Sequence, residues 1–220
     1  GLKLVEDYLN TFSGLEKWLE DTKKFAKKHG YVQTMFGRRR RLPDLNSKVP
    51  TLKSNAERQS INAPIQGTGS DFTLLSLIQI NEWLKATGKK SMIIATVHDS
   101  IVFDVYLPEL SEVATKVKEI MENVHKPYID TVIPIIADLE LGVNYGATFE
   151  VDLEEVSEIH NESEFKRWNS KKKLEKYSKE VEILHSKGWS YEQVIDYFCK
   201  YNVDMVSGLV DFIVKVYSNE

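Results

Sequence analysis

The tetrapeptide Val97-His98-Asp99-Ser100 lies between two apolar runs, Met92-Ile93-Ile94-Ala95-Thr96 before it and Ile101-Val102-Phe103 after it. This pattern reads as a β-hairpin over residues 91–105, closed by a tight turn. A carboxylate at such a turn is held rigidly and points outward, as a metal ligand must to reach a substrate phosphate. Asp99 is therefore the candidate ligand for a divalent cation, its oxygens suiting magnesium. His98, as a neutral ring, can hydrogen-bond a sugar or phosphate oxygen. Alone, an Asp at a turn is ordinarily just a turn residue, so the case depends on the rest of the chain. His29, His125, His160 and His185 stand singly and show no zinc-ligand spacing.

Two other groups carry chemistry. Arg38-Arg39-Arg40-Arg41 follow Gly37, and four guanidiniums after a turn suit bidentate bonds to phosphates. The plainer alternative is a solvated basic loop. Arg58, Asn62 and Gln66 recur every four residues, the spacing of one helical face. Amide side chains of this kind donate to purine N3 and pyrimidine O2 in a minor groove, acceptors shared by every base pair. Such contacts test pairing geometry without reading sequence. Polar residues at helical spacing are also what a wet surface looks like.

These residues must be positioned by an α+β framework. Tyr8, Leu9, Phe12, Leu15, Trp18, Leu19 and Phe25 have helical spacing over Val5 to His29. Ser13-Gly14 is expected to divide that stretch, and Gly30 to end it after a lysine-rich last turn. Tyr31 to Phe36 reads as a short strand, and Leu42 to Leu52, with Pro43 and Pro50, as a loop. Asn55 to Thr87 is helical apart from Pro64, which favours a helix start over a helix interior. One helix is thus expected to end near Asn62 and a second to run from Pro64 to Ala86, with Phe72, Leu75, Ile78, Ile80 and Trp83 as its core face. Pro108 to Val124 reads as an amphipathic helix and Val132 to Val143 as a further strand. Beyond 150 the pattern becomes helical throughout. Lys171-Lys172-Lys173 suggests a solvated helix, and Ser190 with Gln193 a capping box. Helix, hairpin, helix and strand in this order describe an antiparallel sheet flanked by long helices, followed by an all-α C-terminal extension.

Composition agrees. The 220 residues are 42% hydrophobic and 28% charged, as in globular proteins able to bury a core. No run of eighteen apolar residues is present, so no membrane span is expected. The chain starts at Gly1 without a signal peptide or initiator Met, which suggests a processed product or a trimmed or fragmentary piece of a longer protein. The one cysteine, Cys199, excludes an internal disulfide and suits a reducing, cytoplasmic setting. Residues 151–220 hold 10 Lys and Arg against 14 Asp and Glu, which accounts for the net charge of −4 and leaves 1–150 neutral. Any attraction to phosphate must come from local patches.

Four segments, in order, resemble one family: Gly37-Arg38-Arg39-Arg40-Arg41-Leu42-Pro43-Asp44; Ala56-Glu57-Arg58 leading into Ile61-Asn62-Ala63-Pro64-Ile65-Gln66-Gly67-Thr68 and Asp71; Val97-His98-Asp99; and Gly142-Val143-Asn144-Tyr145. Together they are similar to the C-terminal palm and trailing fingers part of a family A DNA polymerase, of the bacterial polymerase I and bacteriophage type. The resemblance covers about residues 5–150. It implies that Asp99 is a palm aspartate binding the two catalytic magnesium ions and that His98 touches the primer end. It implies that Arg58, Asn62 and Gln66 hold the template–primer minor groove, and that Arg38, Arg39, Arg40 and Arg41 lie near the template strand. The implied reaction is attack of a primer 3′-hydroxyl on the α-phosphate of a deoxynucleoside triphosphate.

The departures are informative. Ser100 stands where many family members have Glu. The segments carrying the other essential aspartate and the nucleotide-binding helix are not in this sequence, and one aspartate cannot hold two magnesium ions. The expectation is a palm part over 1–150 and a helical extension of unknown role over 151–220. This part belongs to a template-directed DNA polymerase of replication or repair in a bacterial or bacteriophage-infected cell. It is expected to be a fragment or one subunit of a split polymerase, inactive alone and completed by an N-terminal polymerase portion, with primer–template DNA and deoxynucleoside triphosphates as partners. Two rivals remain. One is a non-catalytic primer–template-binding module; the other is a stand-alone metal hydrolase built around His98 and Asp99, which needs further ligands from Asp104, Asp138 and Glu140.

Overall fold

A computed structural model describes residues 11–200 and 209–217. Tyr8 and Leu9 of the first expected helix lie outside the described residues. The chain divides into two units, one within 1–104 and 119–137, the other within 105–118 and 138–220.

In the first unit, α1 (Ser13–His29) ends on Gly30, whose φ of 75° is left-handed and whose N–H bonds Ala26 O. That conformation favours glycine, and Lys27, Lys28 and His29 complement the helix terminus. The chain then forms a small antiparallel ribbon, β1 (Tyr31–Gln33) with β2 (Arg39–Arg41), in which Val32 faces Arg40. The expected strand through Phe36 stops at Gln33 because the chain turns there: Thr34 N–H bonds Arg38 O and Gly37 N–H bonds Thr34 O, each at 2.9 Å. Leu42–Leu52 is not wholly a loop either, since Pro43–Asn46 is a 3-10 turn and Pro50 already opens the next helix. Ala26, Val32, Leu42, Leu45 and Ala56 are buried together as the core of this region.

The main correction concerns Pro64. A single 37-residue helix, α2 (Pro50–Ala86), runs straight through it. Proline removes one backbone donor and ordinarily breaks a helix, but here the β1–β2 ribbon is bonded along the following turn. Met35 N–H donates to Thr68 Oγ1 at 3.0 Å, Thr68 Oγ1 donates to Pro64 O at 2.6 Å, and Arg38 reaches Gly67 O at 3.0 Å. Gly67 permits this approach, because a Cβ there would stand 2.7 Å from Thr34 Cγ2. The buried face of α2 also differs from the apolar stripe expected. Ile80 is buried, Phe72, Leu75 and Trp83 are half-buried, and Ile78 is 52% exposed. Most of the buried positions are small or polar, including Ala56, Ser60, Thr68, Asp71, Thr73 and Ser76. Small side chains let backbones come close, and the Ser60, Thr68 and Thr73 hydroxyls donate to carbonyls of the preceding turn.

The expected hairpin is present: β3 (Met92–Val97) pairs with β4 (Ser100–Asp104), Val97 opposite Ser100, with an irregularity between Ile93 and Ala95. The strand expected over Val132–Val143 shrinks to β5 (Leu139–Gly142) in the second unit, paired with β6 (Thr148–Val151). Pro134 cannot donate to a ladder, and Val132, Ile133 and Ile136 are 69% to 100% exposed. Gly142 admits the tight return, since a Cβ there would stand 2.0 Å from Ala147 O. The three antiparallel pairs are separate two-stranded ribbons. With the helices they make the mixed α and β fold expected.

Helix α3 (Leu110–Asn123) follows a 3-10 turn at Leu107–Glu109, close to the expected span. In the second unit, α4 (Leu153–Ser157) has a capping box between Asp152 and Glu155. Helix α5 (Glu162–Ser186) is capped by the Asn161 side chain. It carries the three lysines, of which Lys172 is drawn in to Glu155 at 2.8 Å. Helices α6 (Tyr191–Lys200) and α7 (Leu209–Tyr217) follow. The Ser190–Gln193 capping box forms in both directions, at 2.8 and 3.4 Å. Val181, Leu184, Val194, Phe198, Leu209 and Ile213 are the buried core of these helices. A second core, around Leu110, Val151, Val156, Ile159 and Trp168, lies under the β5–β6 ribbon. Among the described residues no helix is long and apolar enough to cross a membrane.

Candidate nucleic-acid interface

The four consecutive arginines separate by strand alternation. Arg38 Nε donates to Asp71 Oδ1 at 2.6 Å and Arg38 Nη2 to Gly67 O at 3.0 Å. Arg40 Nη2 donates to Gln59 Oε1 on α2 at 3.3 Å. The Arg39 guanidinium instead stacks 4.7 Å above the Tyr31 ring, and Arg41 is exposed. The cluster is thus no undivided basic loop: Arg38 ties the ribbon to α2, while Arg40 leans over α2.

Because α2 is continuous across Pro64, Arg58, Asn62 and Gln66 stay on one face. They line an open groove of about 330 Å³ together with Arg40, Asn55 and Gln59. Gln66 also borders a neighbouring depression of about 220 Å³ under the β1–β2 ribbon, lined by Arg38, Arg39, Gly67 and Ser70 among others. The groove offers side-chain amides and guanidiniums and is open to solvent, which suits an extended polar partner. Sequence reasoning missed Asn55 and Gln59. Positions 55, 59, 62 and 66 form one helical stripe, so their spacing carried the signal.

His98 and Asp99 are the two turn residues of the β3–β4 hairpin, and both are exposed. His98 has a φ of 55°, a left-handed conformation that costs a non-glycine residue about 1 kcal/mol. Tight hairpin turns require this geometry. Ser100 Oγ donates to Val97 O at 2.8 Å, so its hydroxyl closes the turn. Buried Thr73 on α2 has its hydroxyl 3.3 Å from both Gly69 O and Asp99 O, its one proton shared between them, which links the turn to the helix. Thr73 was not singled out in sequence; nothing in its local pattern marks a contact with residue 99.

The carboxylate of Asp99 is the kind of oxygen donor magnesium takes. Among the described residues, no group of three His, Cys, Asp or Glu side chains comes together to hold a metal ion. The donors present do not make up a two-ion centre by themselves. The same observation weakens the metal-hydrolase rival. One of its acids, Glu140, accepts the Thr148 hydroxyl at 2.6 Å across the β5–β6 ribbon.

Comparison with known proteins identifies the family. The family model described as DNA polymerase family A matches residues 2–147, and the chain belongs to that family. It is 44% identical over 191 residues to a DNA polymerase of Bacillus phage SP01, covering 84% of this chain and 20% of the phage protein. It is 37% identical over 145 residues to DNA polymerase I of Streptococcus pneumoniae, covering 66% of this chain and 16% of that one. Among solved structures it is similar to the POL domain of Pol1 from M. smegmatis, in complex with DNA primer-template and dNTP. That likeness has 35% identity and a TM-score of 0.55, and covers 59% of this chain and 22% of that one. The chain therefore spans about a fifth of the length of the phage relative. The phage similarity runs past residue 147 into the helical extension, while the bacterial match covers a share close to that of the family segment alone.

Proposed function

We propose that this chain is the palm part of a template-directed DNA polymerase, active when joined to an N-terminal polymerase portion. The observation that carries the reading is the groove in which Arg58, Asn62 and Gln66 are brought together with Arg40, on a chain of DNA polymerase family A. In this reading the groove holds the primer–template duplex along its minor groove, where amide donors meet acceptors common to all base pairs. Asp99 contributes one carboxylate to divalent ions, and the remaining ligands come from the N-terminal portion. His98, beside it on the same rigid turn, contacts the primer end. Residues 1–150 are the polymerase part, and 151–220 a helical appendage, at least part of which the similarity to the Bacillus phage SP01 polymerase takes in.

The test is extension of a primed template with magnesium and four deoxynucleoside triphosphates. The chain is assayed alone and mixed with the N-terminal portion of a phage-type relative. Extension only in the mixture, lost in Asp99→Ala with the circular dichroism spectrum unchanged, is expected. Extension by Asp99→Ala at the wild-type rate would overturn the role of Asp99. A second reading, a non-catalytic primer–template-binding module, draws on the lack of a three-ligand group among the described residues. It requires magnesium-independent duplex binding and no extension with any portion added.

A further inference from the structure

Two side chains in the groove belong to none of the motifs that carry the family resemblance. Asn55 and Gln59 sit on the Asn62–Gln66 stripe of α2. Each accepts a hydrogen bond from an arginine of the same groove: Asn55 Oδ1 from Arg58 Nη2, and Gln59 Oε1 from Arg40 Nη2. An exposed arginine otherwise samples many rotamers, and ordering it on a ligand costs entropy. An amide oxygen that engages one N–H leaves the other donors of the guanidinium fork free to point at a partner. Being uncharged, the amide does not neutralise the guanidinium, unlike the carboxylate of Asp71 on Arg38.

We infer that Asn55 and Gln59 are positioning residues that pre-orient the Arg58 and Arg40 guanidiniums for the phosphates or minor-groove edges of a bound duplex. The inference rests on the proposed duplex-holding role of the groove and extends it. Gln59 bridges two elements, so it adds a β2 guanidinium to a surface otherwise built on α2 alone. An acceptor of the same reach with a negative charge cannot replace either amide, because it would pair with its arginine and repel phosphate.

The experiment has two arms on the full chain. The first needs no DNA: arginine side-chain NMR of the free protein reads rotation about the guanidinium bond. Slow rotation at Arg58 and Arg40, accelerated in Asn55→Ala and Gln59→Ala respectively, is expected; rotation as fast as at Arg41 in the wild type overturns the inference. The second arm is binding of a primer–template duplex. Each alanine variant is expected to weaken binding about threefold, the scale of one modest hydrogen bond. Gln59→Glu is expected to weaken it more than Gln59→Ala. The loss from Gln59→Ala should vanish in an Arg40→Ala background, and that from Asn55→Ala in Arg58→Ala. Losses that persist undiminished there, with slow rotation intact, overturn the inference while leaving the duplex-holding role standing. Wild-type chain that shows slow rotation but binds no duplex instead removes the proposed role of the groove, and the inference about ligand contact falls with it.

Discussion

Arg38→Ala is expected to destabilise the first unit far more than any neighbouring arginine substitution. Arg38 makes two bonds, to Asp71 Oδ1 at 2.6 Å and Gly67 O at 3.0 Å, and its side chain is 55% exposed against 9% for Asp71. Solvent screening on the arginine side reduces the value of the ion pair itself. The cost comes chiefly from what is left behind. Asp71 Oδ2 already has no hydrogen-bond partner, and truncation would strip Oδ1 of its cation as well, leaving a buried carboxylate uncompensated. Stranding such a group, together with the lost bond to Gly67 O, amounts to about 2–3 kcal/mol after that discount. Urea unfolding at neutral pH checks this, with hydrogen exchange over residues 31–41 to localise the effect. Arg41→Ala, the control, should change stability by less than about 0.5 kcal/mol. Adding Asp71→Asn to Arg38→Ala should recover part of the loss, because it removes the stranded charge. An Arg38→Ala protein as stable as Arg41→Ala, or a further loss on adding Asp71→Asn, would refute the reasoning.

Other outcomes follow from the same structure. Thr73→Val keeps the shape of a buried side chain but removes the bond to Asp99 O; it should loosen the hairpin turn, seen as faster amide exchange at residues 98–100, and lower extension by the joined polymerase several-fold. Pro64→Ala restores the donor missing from the interior of α2, and should raise stability by about 1–3 kcal/mol in urea unfolding; a fall would mean that the ribbon depends on the proline ring. Lys172→Met breaks the pair with Glu155, whose side chains are 19% and 30% exposed, and should cost about 1 kcal/mol, confined to the second unit's transition. The Glu57 carboxyl is held below its ordinary value of 4.5, first by its hydrogen bond with Lys27 and then by that lysine's charge. Because the folded-state value is lowered, its contribution is full above pH 4.5 and is lost as pH falls through the lowered value. Glu57→Gln should therefore flatten the acid limb of the stability curve without altering its alkaline side.

Much of the candidate site's local geometry was legible in sequence because short-range rules wrote it there. The hairpin over 92–104 follows from two apolar runs around a two-residue turn, and that turn alone puts His98 and Asp99 at an exposed tip. Gly30 ends α1 by a backbone conformation that favours glycine, and the Ser190–Gln193 box starts α6 by bonds that span three residues. Arg58, Asn62 and Gln66 declared a common face through their spacing. What sequence could not decide was set by contacts between residues distant along the chain. Pro64 argues locally for a helix break, yet α2 runs through it, with the ribbon bonded along the following turn at Thr68, Gly67 and Asp71. Tertiary contacts made Arg38 a tie, Arg39 a ring stack and Arg40 a groove wall and left Arg41 exposed, which no count of charges anticipates. Thr73 beneath the Asp99 turn is separated from it by 26 residues. A hydroxyl mid-helix carries no local sign of the backbone oxygen it will meet, because that meeting exists only once two elements have packed.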